Sequence, residues 1–194
     1  LLWERARTDN YYVGGVVEQS HGYSRNNDNW SLRLGHTWVI DEGHLNELRV
    51  QGGNRETRIP LNSMEIGEWF STGTTLQIGA NILGSNYEAD TDFFQVDDTL
   101  SLLGLGHHAL RFGLNYLYTS TFHRQNRFEE GWMIYLSDSR ALPSYYYYGE
   151  GDSGATLDNS VIGVFVQDDW RPNPKLTVSL GLRYDLETDA TNPD

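Results

Sequence analysis

The residues with the clearest potential for chemistry form a glycine-rich stretch, Gly104-Leu105-Gly106-His107-His108-Ala109. Its spacing matches the G-x-G-x-x-A fingerprint of dinucleotide-binding folds, in which a helix begins at the glycines and points its N-terminus at the pyrophosphate. The residues that follow alternate between apolar and polar types with a period of two, which is typical of a strand. A tight turn between two strands explains the glycines better, so we predict no cofactor site.

A second stretch, Gly151-Asp152-Ser153-Gly154-Ala155, is close to the nucleophile segment of chymotrypsin-like proteases. A nucleophilic serine needs a histidine as base and an acid that orients the histidine. None of the 6 histidines lies in a recognisable partner segment. A polar loop is therefore the preferred interpretation, and we predict no catalytic residue and no enzymatic activity.

Metal binding has little support in the sequence. His107 and His108 are neighbours, and neighbouring residues of a strand point to opposite faces, so the two rings would not chelate one ion. The acidic residues of the long polar segments lack the regular spacing of an EF-hand loop. These acids are Asp90, Asp92, Glu129, Glu130, Asp138, Glu150, Asp152 and Asp158. The sequence predicts no metal site.

Four consecutive tyrosines, Tyr145, Tyr146, Tyr147 and Tyr148, are the candidates for contact with a ligand. A tyrosine offers a large amphipathic surface at low entropic cost, as binding loops require. A loop packed on its own aromatic rings is the competing interpretation. Both remain open from the sequence alone.

The composition favours a sheet protein and excludes several classes. The net charge is −13 with a single lysine, which disfavours nucleic-acid binding because that binding depends on neutralising phosphates. Cysteine is absent, which excludes disulfides and thiolate metal sites. Aromatic residues make up 13% of the chain, which suits a sheet with one face in an apolar medium. No apolar run approaches the ~20 residues of a membrane-spanning helix.

Alternation with a period of two is the dominant pattern, and it recurs in long runs. A strand in a globular protein usually has ~5–6 residues, whereas a tilted membrane strand needs ~9–11. Several of the runs are longer than that. We predict seven strands, at residues 11–19, 30–40, 44–53, 92–104, 107–121, 160–170 and 175–187.

The two faces of these strands differ in charge. The arginines of the clearest strands all fall on the polar face, and a charge facing lipid near the midplane would cost about 2–4 kcal/mol. These arginines are Arg33, Arg49, Arg111 and Arg183. Asp98 breaks the rule on the apolar face, and a β-bulge is one way to turn it inward. A soluble β-sandwich, whose outer face is also polar, remains the alternative.

The connections between the predicted strands alternate in length. Short turns fall at 41–43, 104–106 and 171–174, and the longest connections are 54–91 and 122–159. Outer-membrane barrels have short periplasmic turns and long extracellular loops, so we expect these two excursions to be extracellular. The strand-like stretch Thr75–Ile82 would then lie in a loop and not in the barrel wall. Seven strands cannot close a bacterial barrel, so the chain is expected to be a piece of a larger one.

Three segments resemble TonB-dependent outer-membrane receptors. Residues 164–185, VFVQDDWRPNPKLTVSLGLRYD, resemble the hairpin "FVQDDWR…LTLNLGLRYE" of that family. Residues 106–116, GHHALRFGLNY, are similar to the hairpin "GKHTLKFGGEY" of its Oar-like subgroup, whose members carry a carboxypeptidase-regulatory-like domain. Residues 45–50, LNELRV, resemble the upstream strand "VNELRFGY".

The resemblance implies that residues 1–194 are an internal part of a 22-stranded antiparallel transmembrane barrel, with the signal peptide and the plug domain outside this chain. It further implies energised uptake of a siderophore, glycan or peptide, with outer-membrane lipid, the plug, the TonB complex and the extracellular nutrient as partners. Gln167, Asp168, Asp169 and Arg183 would serve the barrel architecture. The alternatives are a passive porin or adhesin barrel, an outer-membrane barrel enzyme and a soluble β-sandwich binding module.

Overall fold

The computed structural model describes residues 1–72, 74–81, 87–137, 140 and 142–188, and this part of the chain is built almost entirely from β-strands. The only helical element there is a single 3-10 turn at Gln19–His21. None of the described residues belongs to a helix with the length and apolar character needed to cross a membrane. The strands are β1 (Leu2–Tyr11), β2 (Tyr23–Asp41), β3 (His44–Ile59), β4 (Gly67–Thr72), β5 (Thr74–Ile78), β6 (Tyr87–Leu105), β7 (His108–Gln125), β8 (Trp132–Tyr135), β9 (Tyr145–Tyr147), β10 (Ala155–Asn173) and β11 (Leu176–Glu187).

Seven long strands form one antiparallel sheet in the order β1-β2-β3-β6-β7-β10-β11. Each strand pairs with the next long strand along the chain, and β2, β6 and β10 each have 19 residues. These lengths exceed the ~9–11 residues of a tilted membrane strand. The prediction of an all-β fold made of long antiparallel strands is confirmed.

A second, four-stranded sheet, which we call the rim sheet, has the order β5-β4-β8-β9. It is formed by the two longest connections, and both leave the main sheet at the end opposite the short turns. As predicted, the stretch that begins at Thr75 lies outside the main sheet, within β5. Ile82, where that stretch was expected to end, falls outside the described residues.

The first predicted strand, 11–19, is wrong. The strand runs instead from Leu2 to Tyr11, and the chain turns at Asn10 and Tyr12, whose φ angles are +54° and +70°. Strand β1 was missed because its face that continues the apolar side carries arginines, Arg5 and Arg7, opposite Asp28 and Asn26. A hydrophobic period cannot reveal a strand that is stabilised by polar pairs.

The predicted connections 54–91 and 122–159, and the interval between the predicted strands 11–19 and 30–40, were too long for the same reason. Strand β2 begins at Tyr23, and the pairing of β3 with β6 continues to Ile59 opposite Tyr87. The excursions in the structure are 60–86 and 126–154. Polar and charged pairs extend the strands beyond the apolar stretch, such as Arg58 opposite Glu88 with an ion pair of 3.2 Å.

The register places the apolar residues of six strands, β2, β3, β6, β7, β10 and β11, on one face, which we call the apolar face. One continuous row across the sheet shows this alignment: Leu34, Val50, Val96, Tyr116, Ile162 and Leu186. No described part of the chain covers this face, and Leu182 is 73% exposed there. A contiguous apolar surface that extends across six strands is rare in soluble monomers, and it requires an apolar surrounding.

The opposite, polar face carries a hydrogen-bonded network. The Arg33 guanidinium donates to Gln51 Oε1 at 2.8 Å, and Gln95 Nε2 donates to Asp97 Oδ2 at 2.9 Å. The register confirms that the arginines predicted for this face lie on it: Arg33, Arg49, Arg111 and Arg183. Phe165 fills the space above Gly113, where a Cβ would overlap its ring.

Asp98 keeps its place on the apolar face. The pairing of β6 with β3 and β7 is regular between Tyr87 and Leu102, so no bulge turns Asp98 inward. Asn46, on the same face of β3, donates from Nδ2 to Asp98 Oδ1 at 2.7 Å. The carboxylate is therefore stabilised from within the apolar face and is not turned away from it.

Candidate functional site

The glycine-rich stretch forms the turn between β6 and β7, as predicted. Gly104 and Gly106 have φ angles of +86° and +68°, which glycine adopts without strain. Leu105 pairs with His108 immediately beyond the turn, and no helix begins there. The stretch connects two strands and lacks the helix N-terminus that a dinucleotide site needs.

Ser153 is held by backbone and amide groups. Its hydroxyl donates to Asn126 Oδ1 at 2.8 Å and accepts from the backbone N–H of Gln125 at 2.9 Å. Asp152 accepts from the backbone N–H of Gly154 at 2.9 Å and so closes the turn. These bonds anchor the return of the second excursion to the end of β7, which is a structural role.

His107 and His108 do not act together. His108 lies on the apolar face, where its Nδ1 is 2.6 Å from Asp168 Oδ2 and its ring stacks on Trp170 at 6.1 Å. This bond satisfies one oxygen of Asp168, which also lies on the apolar face, opposite Leu180. Among the described residues, no group of three or more His, Asp or Glu side chains is arranged to hold a metal ion.

The rim sheet carries a cluster of aromatic rings on one face, which we call the aromatic cluster. Trp69 on β4 stacks on Trp132 on β8 at 5.8 Å, and Tyr147 on β9 lies 5.9 Å from Trp132. Phe128 stacks on Tyr147 at 5.6 Å. These rings come from both excursions, because β4 pairs in parallel with β8. The cluster is the largest group of aromatic side chains at this end of the described chain.

The other face of the rim sheet is a small packed core. Phe70 and Tyr135 are 8% and 4% exposed and stack at 4.7 Å. Arg140 lies over the Phe70 ring and forms a 2.7 Å ion pair with Glu68. Burial beside the Glu68 carboxylate raises the pKa of the Tyr135 hydroxyl, with desolvation as the larger cause. This core packs on the face of the rim sheet opposite the aromatic cluster and so stabilises the strands that carry the cluster.

The predicted ligand contacts fall in two environments. Tyr145, Tyr146 and Tyr148 are 54%, 54% and 59% exposed, whereas Tyr147 packs between Phe128 and Trp132. Tyr145 shares the face of Trp132 and Tyr147, whereas Tyr146 pairs with Met133 and lies on the other face of the rim sheet. The sequence reading missed Trp69 and Trp132, although tryptophans in both long excursions were a usable signal.

Replacing Tyr147 by alanine is expected to loosen the rim sheet, because two ring contacts are lost and each aromatic pair contributes about 0.5–1.5 kcal/mol. Tyr148→Ala is the matched control, since that ring is mostly exposed. Limited proteolysis of the folded protein measures the effect. We expect faster cleavage within 126–154 in Tyr147→Ala alone, and equal cleavage in both variants would contradict the packing described.

His21 ties the β1–β2 connection to the rim sheet. It is 2% exposed, its Nδ1 lies 3.3 Å from the Ile78 carbonyl, and its own carbonyl accepts from Asn81 at 2.7 Å. Desolvation lowers the pKa of the ring below its usual value, although the backbone carbonyls oppose this. The neutral ring is therefore the folded form.

Acidification is expected to weaken this contact. Because the folded pKa of His21 lies below the unfolded value of about 6.5, the unfolded state binds the proton first, and the stability that His21 contributes falls as the pH drops below about 6.5. The loss of stability is measured by hydrogen exchange of the Glu18 and Gln77 amides, corrected for intrinsic rates. Both amides donate hydrogen bonds between the β1–β2 connection and β5. His21→Gln should remove the pH dependence; a profile identical to wild type would contradict the assignment.

Comparison with known proteins identifies a family. A family model described as "Outer membrane beta barrel domain" matches residues 1–194. No curated protein and no solved structure matches the chain significantly. The match agrees with the uncovered apolar face of the main sheet, the long antiparallel strands and the placement of all long connections at one end.

Proposed function

The chain belongs to the outer membrane β-barrel domain family, and from that premise we propose that it forms part of the wall of a TonB-dependent receptor for a bulky nutrient. Family membership places the protein in the bacterial outer membrane, where its apolar face meets lipid. A transport role requires more: a polar interior, a way to close it and a site outside that meets the nutrient.

The proposal rests on the difference between the two faces of the main sheet and on the position of the rim sheet. One face of the main sheet is apolar and the other is polar and hydrogen-bonded, while the rim sheet rises from one end only. In an outer-membrane barrel the long loops are extracellular. The excursions 60–86 and 126–154 then face the medium, and the polar face lines the lumen.

The nutrient would meet the aromatic cluster and the exposed tyrosines of residues 145–148. Aromatic rings supply most of the contact energy in binding sites, because they bury large areas and lose little entropy. Tyr145, Tyr146 and Tyr148 are the substrate contacts of this proposal, and Trp132 and Tyr147 form the platform. No catalytic residue takes part, and the protein acts as a receptor and not as an enzyme.

Closure of the barrel needs further strands. The main sheet has two edges, β1 and β11, that pair with no other described strand. Bacterial outer-membrane barrels are closed and have an even number of strands. The resemblance of the β6–β7 and β10–β11 hairpins to TonB-dependent receptors supports a 22-stranded wall, a plug domain that contacts the polar face and coupling to the TonB complex.

Conductance of the full-length protein in planar lipid bilayers tests this function, with K⁺ and Cl⁻ ions as the probe. A receptor with its plug in place should show no stable open channel, and removal of the plug segment should open a large one. Steady conductance of the intact protein would instead identify a passive porin. Absence of conductance in both forms would favour an adhesin barrel, and either result would overturn the receptor proposal.

A further inference from the structure

Three polar side chains lie together in the middle of the apolar face. His36 on β2, Asn46 on β3 and Asp98 on β6 come from adjacent strands of the main sheet. The register places His36 and Asp98 in one row, on either side of Leu48, and Asn46 in the next row between Trp38 and Leu100. We call these three residues the polar patch.

The polar patch lies deep in the apolar stretch and not at its border. Along β6 the residues on this face are Phe94, Val96, Asp98, Leu100 and Leu102. At ~3.3 Å per residue, Asp98 is about 13 Å along the strand from each end of this run. His36 likewise has Leu34 on one side and Trp38 on the other.

Hydrocarbon is a poor environment for this patch. A polar group in the bilayer core must be satisfied by protein, because lipid tails offer no hydrogen bonds. Asn46 satisfies one oxygen of Asp98 at 2.7 Å. The second carboxylate oxygen and the exposed His36 ring make no hydrogen bond to the described residues of the chain.

Elsewhere on the apolar face, the described residues form no comparable polar group at this depth. Strand β10 presents Ile162, Val164 and Val166 there, and β11 presents Leu180 and Leu182. These side chains suit lipid, and Leu182 is 73% exposed. The polar patch is therefore a local property of β2, β3 and β6, which points to a cover on that side of the wall only.

We propose that a second copy of this chain covers the polar patch, so that the protein forms a dimer in the membrane along β2, β3 and β6. The patch is self-complementary, because the His36 ring can donate a hydrogen bond and the second carboxylate oxygen of Asp98 can accept one, whereas Asn46 already donates to Asp98 and to the Thr99 carbonyl of its own copy. A two-fold interface brings the same surface of both copies together, so each donor can meet an acceptor of the other copy.

The surroundings of the polar patch fit such an interface. Leu34, Trp38 and Leu48 frame it, with exposures of 61%, 56% and 36%. Stable interfaces place a few polar groups among large apolar anchors, with tryptophan prominent among them. This inference goes beyond the proposed uptake function and holds equally for an energised receptor and a passive pore.

Electron spin resonance between labels on the full-length protein in lipid vesicles tests the dimer. Leu48→Cys places one label at the patch, and Leu182→Cys places one on β11, about 19 Å away around the wall at ~4.8 Å per strand. The chain has no other cysteine. We expect a short, narrow label-to-label distance at position 48 and a longer one at position 182.

A second variant links the dimer to its polar groups. Asp98→Leu, made in the Leu48→Cys background, removes the acceptor but suits lipid, so the barrel still inserts. Loss of the charge-assisted bonds should raise the dissociation constant of the dimer about tenfold or more. Val166→Leu on β10 is the control and should leave the dimer intact.

Three outcomes would overturn the proposal. No dipolar signal at position 48 would mean that lipid or a different protein covers the patch. Equal distances at positions 48 and 182 would mean that copies associate elsewhere or at random. An unchanged dissociation constant in Asp98→Leu would mean that the polar patch does not hold the copies together.

Discussion

Leu182→Arg is expected to destabilise the protein in lipid vesicles by about 2–4 kcal/mol, the cost of an arginine facing lipid near the bilayer midplane. Leu182 is 73% exposed and lies in the middle of the apolar face, opposite Val166. The nearest acid on this face, Asp168, lies opposite Leu180 and is bonded to His108 at 2.6 Å. The measurement is the free energy of unfolding from denaturant titration in vesicles.

Gly181→Arg is the matched control, because it adds the same group one residue away on the opposite face. A Cβ at Gly181 would meet its nearest atoms at 3.6 Å, which is ordinary contact. We expect a loss below about 1 kcal/mol, as for surface substitutions. Equal losses at both positions would contradict the assignment of one face to lipid.

Gly113→Val is expected to cost about 1–3 kcal/mol, the usual penalty for overpacking. The Phe165 ring lies across Gly113 on the polar face, and a Cβ there would overlap it. Phe165 pairs with Gly113 in the register of β7 and β10, so the ring has to leave its position. The same unfolding measurement in vesicles reports the loss.

Two controls separate this contact from a general effect on strands. Gly35 lies on the same polar face with nothing within 4 Å of a Cβ, so Gly35→Val should change stability little. In Gly113→Val/Phe165→Ala the two effects should be less than additive, because both changes act on one contact. Full additivity would show that the ring over Gly113 does not matter.

The sequence predicted the parts of the fold that depend on alternation. Each central strand was found because its apolar residues face one medium, and the turns at Gly104 and Gly106 were found because glycine permits positive φ. Strand ends were predicted poorly. Arg58 pairs with Glu88 and Arg5 with Asp28 beyond the apolar stretch, and such pairs leave no hydrophobic period.

The rim sheet could not be predicted from local sequence pattern. Strands β4 and β8 pair in parallel across a large separation in sequence, and each has at most 6 residues. Such short strands are specified by packing, here by Trp69 on Trp132 and by Phe70 on Tyr135. The four consecutive tyrosines were recognisable as candidate ligand contacts, but the tryptophans of the aromatic cluster were not.

Asp98 shows where a local rule fails. The pattern identified it as an exception, and a bulge was one way to turn it away from the apolar face. The partner, Asn46, is distant in sequence and becomes apparent only from the register of β3 with β6. Exceptions to a folding rule of this kind concentrate at functional surfaces, which agrees with the interface proposed for this patch.

We expect one face of the main sheet to meet lipid and the other to line a wet interior. Spin labels on single cysteines from 176 to 187 of β11, in the full-length protein in vesicles, test it most directly. Accessibility to oxygen, which concentrates in lipid, should alternate with a period of two and peak at even positions such as Leu180 and Leu182. Odd positions such as Ser179 should instead be protected from oxygen. Equal access of a water-soluble nickel chelate to both faces would contradict the account.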